Sequence, residues 1–169
     1  MKTITRSNIY LPMAAMILAA LAIPAAAQTQ VPFKGTFQGN DTVIPPTITT
    51  AATGIGTLVG QLSLTDVLTL TSGTGTGHWI AANGDTIATA VVGTPEGLST
   101  PPCQVVGAQP GDHFLKITET HIITGGTGRF TGVQGSFIVT LYHDVSTPGT
   151  THGTCGSYSG TITPPGAAH

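Results

Sequence analysis

Along most of the chain, apolar side chains return at every second position in short runs broken by glycine, proline and asparagine. A period of two marks a strand with one face buried. Eight such runs are readable: 31–38, 51–58, 60–71, 77–82, 85–92, 113–123, 136–143 and 155–163. The clearest is 60–71, with Leu62, Leu64, Leu68 and Leu70 on one face and Gln61, Ser63, Thr65, Val67 and Thr69 on the other. Asn83-Gly84 separates the fourth and fifth runs, and this dipeptide between two strands is a strong hairpin signal. Pro45-Pro46 breaks the chain after the first run, and Gly73 to Gly77 supplies a turn. A long irregular loop is expected over 93–111, where Pro95, Pro101, Pro102, Cys103 and Pro110 fall. No helical period follows residue 27, and the Pro-Pro-Gly tail after Thr163 is expected to be loose.

The first 27 residues read differently. Lys2 and Arg6 precede an apolar stretch, 11–23, and Ala25-Ala26-Ala27 supplies small residues before Gln28. This is the layout of a secretory signal peptide, with cleavage expected after Ala27. The apolar stretch is short for a membrane span, and Pro12 and Pro24 flank it; a retained anchor helix is the alternative. The mature chain, 28–169, is then one domain, secreted or periplasmic, with no further membrane association.

Charge narrows the partners. Residues 28–169 carry three basic side chains, Lys34, Lys116 and Arg129, against seven acidic ones, a balance of −4. Nucleic acid and anionic membrane surfaces both require clustered Lys and Arg, so neither is expected. The two cysteines, Cys103 and Cys155, read as a disulfide in an exported chain. A homo-oligomer is left open.

The segment from Thr124 to Phe137 holds Gly125, Gly126, Gly128 and Gly132 between two strand-like runs, which reads as a tight structural turn built on positive φ and close backbone approach. Its pattern, Gly125-Gly-Thr-Gly-Arg-Phe-Thr-Gly-Val-Gln-Gly135, resembles the G-G-T/S-G-x-F-x-x-x-x-G signature of the allene oxide cyclase and dirigent barrel superfamily. The order of the segments between Thr53 and Val139 is similar to that of small exported bacterial members. Alternation alone permits a sandwich or a barrel. The resemblance implies an all-β fold, an eight-stranded antiparallel up-and-down barrel with a central apolar cavity. It carries over no catalytic set; only the glycine motif aligns, and its role there is structural.

Three ionisable residues fall on faces that otherwise point inward. Asp66 shares the leucine face of its run, and a bulge at Thr65-Asp66 turning it outward is the alternative. Glu119 and His121 share a face with Leu115, Ile117 and Ile123, opposite Lys116, Thr118 and Thr120. A Glu–His pair in a dry interior can act as general acid and base, or can simply hold the core together through hydrogen bonds. Asp66, Glu119 and His121 are therefore the candidate catalytic residues. No H-x-H or H-x-x-x-H spacing occurs, so neither a metal nor another cofactor is expected. There is no G-x-S-x-G elbow and no Lys-Ser/Thr of a phosphate loop. Arg129 is expected to close one end of the fold through a salt bridge or carbonyl contacts; a role in holding a substrate anion is the alternative. Asn40-Asp41-Thr42 is a formal glycosylation sequon, expected to be unused in a bacterial-looking chain. The leading functional reading is a non-catalytic exported barrel that binds a small apolar or aromatic ligand. A cyclase or isomerase acting on a hydrophobic substrate, and a structural or surface-interaction protein with a filled barrel, are the alternatives.

Overall fold

The computed structural model describes residues 29–146 and 149–163. The expected signal peptide, the expected cleavage after Ala27 and the tail beyond Thr163 lie outside the described residues.

Eight strands follow in chain order: β1 (Val31–Ile44), β2 (Thr47–Gly56), β3 (Gly60–Thr69), β4 (Thr74–Ala81), β5 (Thr86–Leu98), β6 (Phe114–Gly126), β7 (Gly135–Asp144) and β8 (Thr151–Ile162). Each pairs antiparallel with the next, and β8 returns to β1, from Val31 opposite Ile162 to Thr42 opposite Thr151. The sheet is a closed up-and-down barrel, which leaves no free strand edge. The strand ends define two poles. At one, the described chain enters and leaves, joined by the β2–β3, β4–β5 and β6–β7 turns. At the other lie the β1–β2, β3–β4, β5–β6 and β7–β8 connections.

Several boundaries differ from expectation: β2, β4 and β8 begin three or four residues early, β4 taking in most of the turn expected over Gly73 to Gly77, and two shifts are larger. β1 runs six residues past the expected stop at Gln38, to Ile44, because only the Pro45-Pro46 pair, joined by a cis peptide, ends its ladder. β5 continues through Pro95 to Leu98, inside the stretch expected to be loop. A register shift between Pro95 and Gly97 absorbs the proline, which has no N–H to give the ladder. The irregular segment shrinks to 99–113. Cys103 is bonded to Cys155 with Cα atoms 6.1 Å apart, which pins this segment to the outer wall of β8.

The glycine segment is a turn, but Gly125, Gly126, Gly128 and Gly132 within it are not equivalent. Gly128 and Gly132 adopt positive φ, and a Cβ on Gly126 would sit 2.9 Å from the Thr86 carbonyl oxygen and as close or closer to Phe130. Gly125 meets neither condition: a Cβ there would have open space. A 3-10 turn at Gly128–Phe130 turns Phe130 inward as a plug, fully buried. Asp85 ties this turn to the β4–β5 hairpin, accepting from Asn83 Nδ2 at 2.6 Å and the Arg129 amide at 3.2 Å, with Arg129 Nε 3.5 Å away. The expected end-closing role of Arg129 is thus realised.

The interior is occupied by side chains. Toward the entry pole, Phe33, Trp79, Phe137 and Tyr158 pack with ring centroids 4.9 to 6.3 Å apart, mostly edge to face. Ile87, Phe130, Val133 and Ile162 complete this cluster. The central apolar cavity implied by the family resemblance is taken up by these rings. Toward the opposite pole a smaller apolar cluster, Ile48, Leu68 and Val91, closes the barrel.

Candidate functional site

A layer of polar side chains is buried among these apolar residues: Asp41, Thr50, Asp66, Thr89, Glu119, His121 and His143. Strand period places them there. On β3, Leu62, Leu64, Asp66 and Leu68 alternate inward without a bulge, since Thr65 and Asp66 keep regular partners on β2 and β4. On β6, Ile117, Glu119 and His121 are buried, while Leu115 and Ile123 at the strand ends are only half-buried. Ile122 faces solvent, as its position on the opposite face demands.

Asp66, Glu119 and His121 converge. His121 Nε2 lies 3.3 Å from Glu119 Oε2 and 3.8 Å from Asp66 Oδ2. On its other side, His121 Nδ1 is 3.0 Å from Thr89 Oγ1. His121 also stacks on Phe137, with centroids 4.9 Å apart, and meets the edge of Trp79. Gly77 makes room for this grouping: a Cβ there would collide with Asp66 Oδ1 and lie 2.5 Å from Thr89 Oγ1 and 3.2 Å from the His121 ring. Asp66 Oδ1 is buried without a hydrogen-bond partner. Burial pushes the Asp66 pKa well above the usual carboxylate range, and the charges of Glu119 and then Asp41 add to the effect.

A second buried pair sits nearby, and sequence reading missed it. Asp41 Oδ2 is 2.7 Å from His143 Nδ1, and the Thr50 hydroxyl donates to Asp41 Oδ1 at 2.5 Å. The His143 ring packs edge-on against His152. The signal was present on β1: Phe33, Phe37 and Asp41 recur every fourth residue on the inward face. It was hidden because the strand was ended at Gln38, before Asp41. The remaining described histidines, His78 and His113, are exposed and take no part.

Two of the recesses on the outer wall stand out by size. One, about 850 Å³, is lined by Thr36, Gln38, Gln61, Ser63 and Ile80 and bounded by the Cys103–Cys155 bridge. The other, about 870 Å³ and mostly apolar in lining, runs over Gly35, Ile55, Gly56 and Tyr158 near the entry pole. The Tyr158 hydroxyl lies against the inner faces of Gly35 and Gly56, where any Cβ would collide with it, and it has no hydrogen-bond partner. Burial raises its pKa far above the ordinary 10, so the phenol stays protonated.

Comparison with protein-family models, curated proteins and solved structures returns no match for this chain.

Proposed function

We propose that this protein is an exported, non-catalytic barrel of allene-oxide-cyclase-like type that binds one small apolar or aromatic molecule. The ligand lies on the outer wall over Gly35, Ile55, Gly56 and Tyr158 rather than in the barrel centre. The observation that carries this reading is the mostly apolar recess of about 870 Å³ beside a filled interior. Its size is that of a pocket for a small organic ligand. Ile55, 62 % exposed, gives it an apolar wall, and Lys34, Thr57 and Ser159 give it a polar rim. The Cys103–Cys155 bridge supports export, since such bonds persist in oxidising compartments.

The test uses the fluorescent apolar dye 1-anilinonaphthalene-8-sulfonate with the folded protein. One saturable site is expected, lost in Ile55→Asp, whose side chain is outside the core and leaves the circular dichroism spectrum unchanged. No saturable binding, or equal binding by Ile55→Asp, overturns the reading in favour of a structural barrel without a ligand.

A further inference from the structure

We propose that Asp66, Glu119 and His121 form a binding site for one divalent transition-metal ion of the zinc or manganese type. The site is separate from the outer-wall recess, and its case rests on three strands that meet inside the barrel.

The first argument is geometric. One donor atom from each residue lies within 4.8 Å of the other two, and the two distances from His121 Nε2 are 3.3 and 3.8 Å. Donors bound to one ion at about 2.0 to 2.2 Å stand roughly 3.0 to 3.5 Å from one another. The His121–Glu119 spacing already falls in this range, and a rotation of the Asp66 carboxylate brings the third donor onto the same centre. Gly77 leaves the space for that rotation.

The second argument is electrostatic. Two carboxylates share an interior in which Asp66 is 4 % and Glu119 3 % exposed, and no Lys or Arg among the described residues is buried beside them. Unpaired buried carboxylates are costly. A divalent cation balances both, so the set becomes neutral overall. Asp66 Oδ1, buried and without a partner, is a further donor on the same side chain.

The third argument concerns the imidazole. A metal-ligating histidine commonly uses its second ring nitrogen to hold a hydrogen-bond partner, which fixes ring and tautomer. Thr89 Oγ1 occupies that position, 3.0 Å from Nδ1. With Nδ1–H donating to Thr89, the Nε2 lone pair faces the two carboxylates. Thr89 is a positioning residue and touches no ion. Two oxygens and one imidazole nitrogen form a set that suits zinc, manganese or ferrous iron better than a soft-metal site, which would need thiolates.

The experiment uses the disulfide-intact mature chain, stripped with a chelator and titrated separately with zinc chloride and manganese chloride by calorimetry. Metal content is counted after gel filtration. One ion per chain is expected, with a raised thermal midpoint. Thr89→Val, which leaves all three donors in place, is expected to weaken binding about 10- to 100-fold. Glu119→Gln is expected to abolish stoichiometric binding. A folded wild-type chain that takes up neither ion overturns the proposal, as does Glu119→Gln binding with wild-type affinity. Should Glu119→Gln fail to fold, anomalous diffraction from metal-soaked wild-type crystals decides. A peak between Asp66, Glu119 and His121 upholds the site, and a peak only at exposed His78 or His113 removes it. None of these outcomes depends on dye binding at Ile55.

Discussion

Single residues in this barrel differ sharply in what they tolerate, and the glycine segment shows it best. Gly128 holds φ of 57°, and a Cβ would run into the Asp85 carboxylate that anchors Arg129 and Asn83. Gly128→Val is expected to lose at least about 1 to 3 kcal/mol from the backbone alone. Gly125→Ala, with open space and no positive φ, is expected to stay within about 0.5 kcal/mol of wild type. Urea unfolding of both variants checks the contrast; equal losses would refute it. Trp79, 1 % exposed and in contact with the rings of Phe33, His121, Phe137 and Tyr158, is expected to cost about 3 to 5 kcal/mol on replacement by alanine. Tyr158 predicts an alkaline effect. Its folded pKa is raised, so its neutral form is favoured by folding, and the stability linked to it is complete below pH 10. That stability is lost as pH climbs above 10 toward the folded value. Thermal melts of wild type are expected to fall more steeply above pH 10 than those of Tyr158→Phe, and parallel falls would sink the assignment. At this scale the inward positions of Glu119 and His121 were legible, because period two on a regular strand decides which way a side chain points; that of Asp66 was not, since a bulge at Thr65-Asp66 fits the sequence equally well and only the regular pairing with β2 and β4 removes it. Their convergence was not legible. It depends on the stagger between β3 and β6, which are not neighbours in the sheet.

Elements were read well where one turn signal dominated and poorly where two signals competed. Asn83-Gly84 located the β4–β5 hairpin, and the leucine alternation located β3. On β5, Pro95 reads as part of a loop that begins at Gly93. The ladder instead bulges and continues, because the residues beyond it still find Lys116 and Leu115 on β6. On β1 the expected run ends at Gln38, yet Gly39 and Asn40 beyond it pair on each side, with Ala52 and Ala51 of β2 and with Thr154 and Gly153 of β8. A glycine flanked by two neighbouring strands is held in the sheet by their hydrogen bonds, whatever its own propensity. The 99–113 connection is long and has few ladder bonds, so its anchoring falls to the Cys103–Cys155 bridge across 52 residues. The chain-entropy account gives that bridge about 4 kcal/mol. Replacing both cysteines with serine is expected to lower the denaturation midpoint accordingly while the far-ultraviolet spectrum of the barrel persists. A variant that fails to form the sheet at all would show that the bridge directs folding rather than only stabilising it.

The whole molecule is a ring of nearest neighbours: every strand pairs with the one before and after it, and β8 with β1. The fold class was legible because this arrangement asks only for regular alternation and short turns, and both are written in the sequence. The filling of the interior was not, since it depends on how far Trp79, Tyr158 and Phe137 reach across the barrel. The ring has a further consequence. Val31 faces Ile162, and the Thr161 hydroxyl donates to Gln30 at 2.5 Å, so the two ends of the described chain leave the same pole side by side. A ring of this kind has no topological beginning. A short flexible linker from 163 back to 30, with new ends cut between Asn83 and Gly84, changes no strand neighbour. Such circular permutants are tolerated where the cut lies in an exposed tip. Anything tethered through residue 30 or residue 163 also attaches at that one pole. The opposite pole, with Pro45-Pro46 and the 99–113 connection, is then held outward, like the face of a plug whose two leads enter from behind.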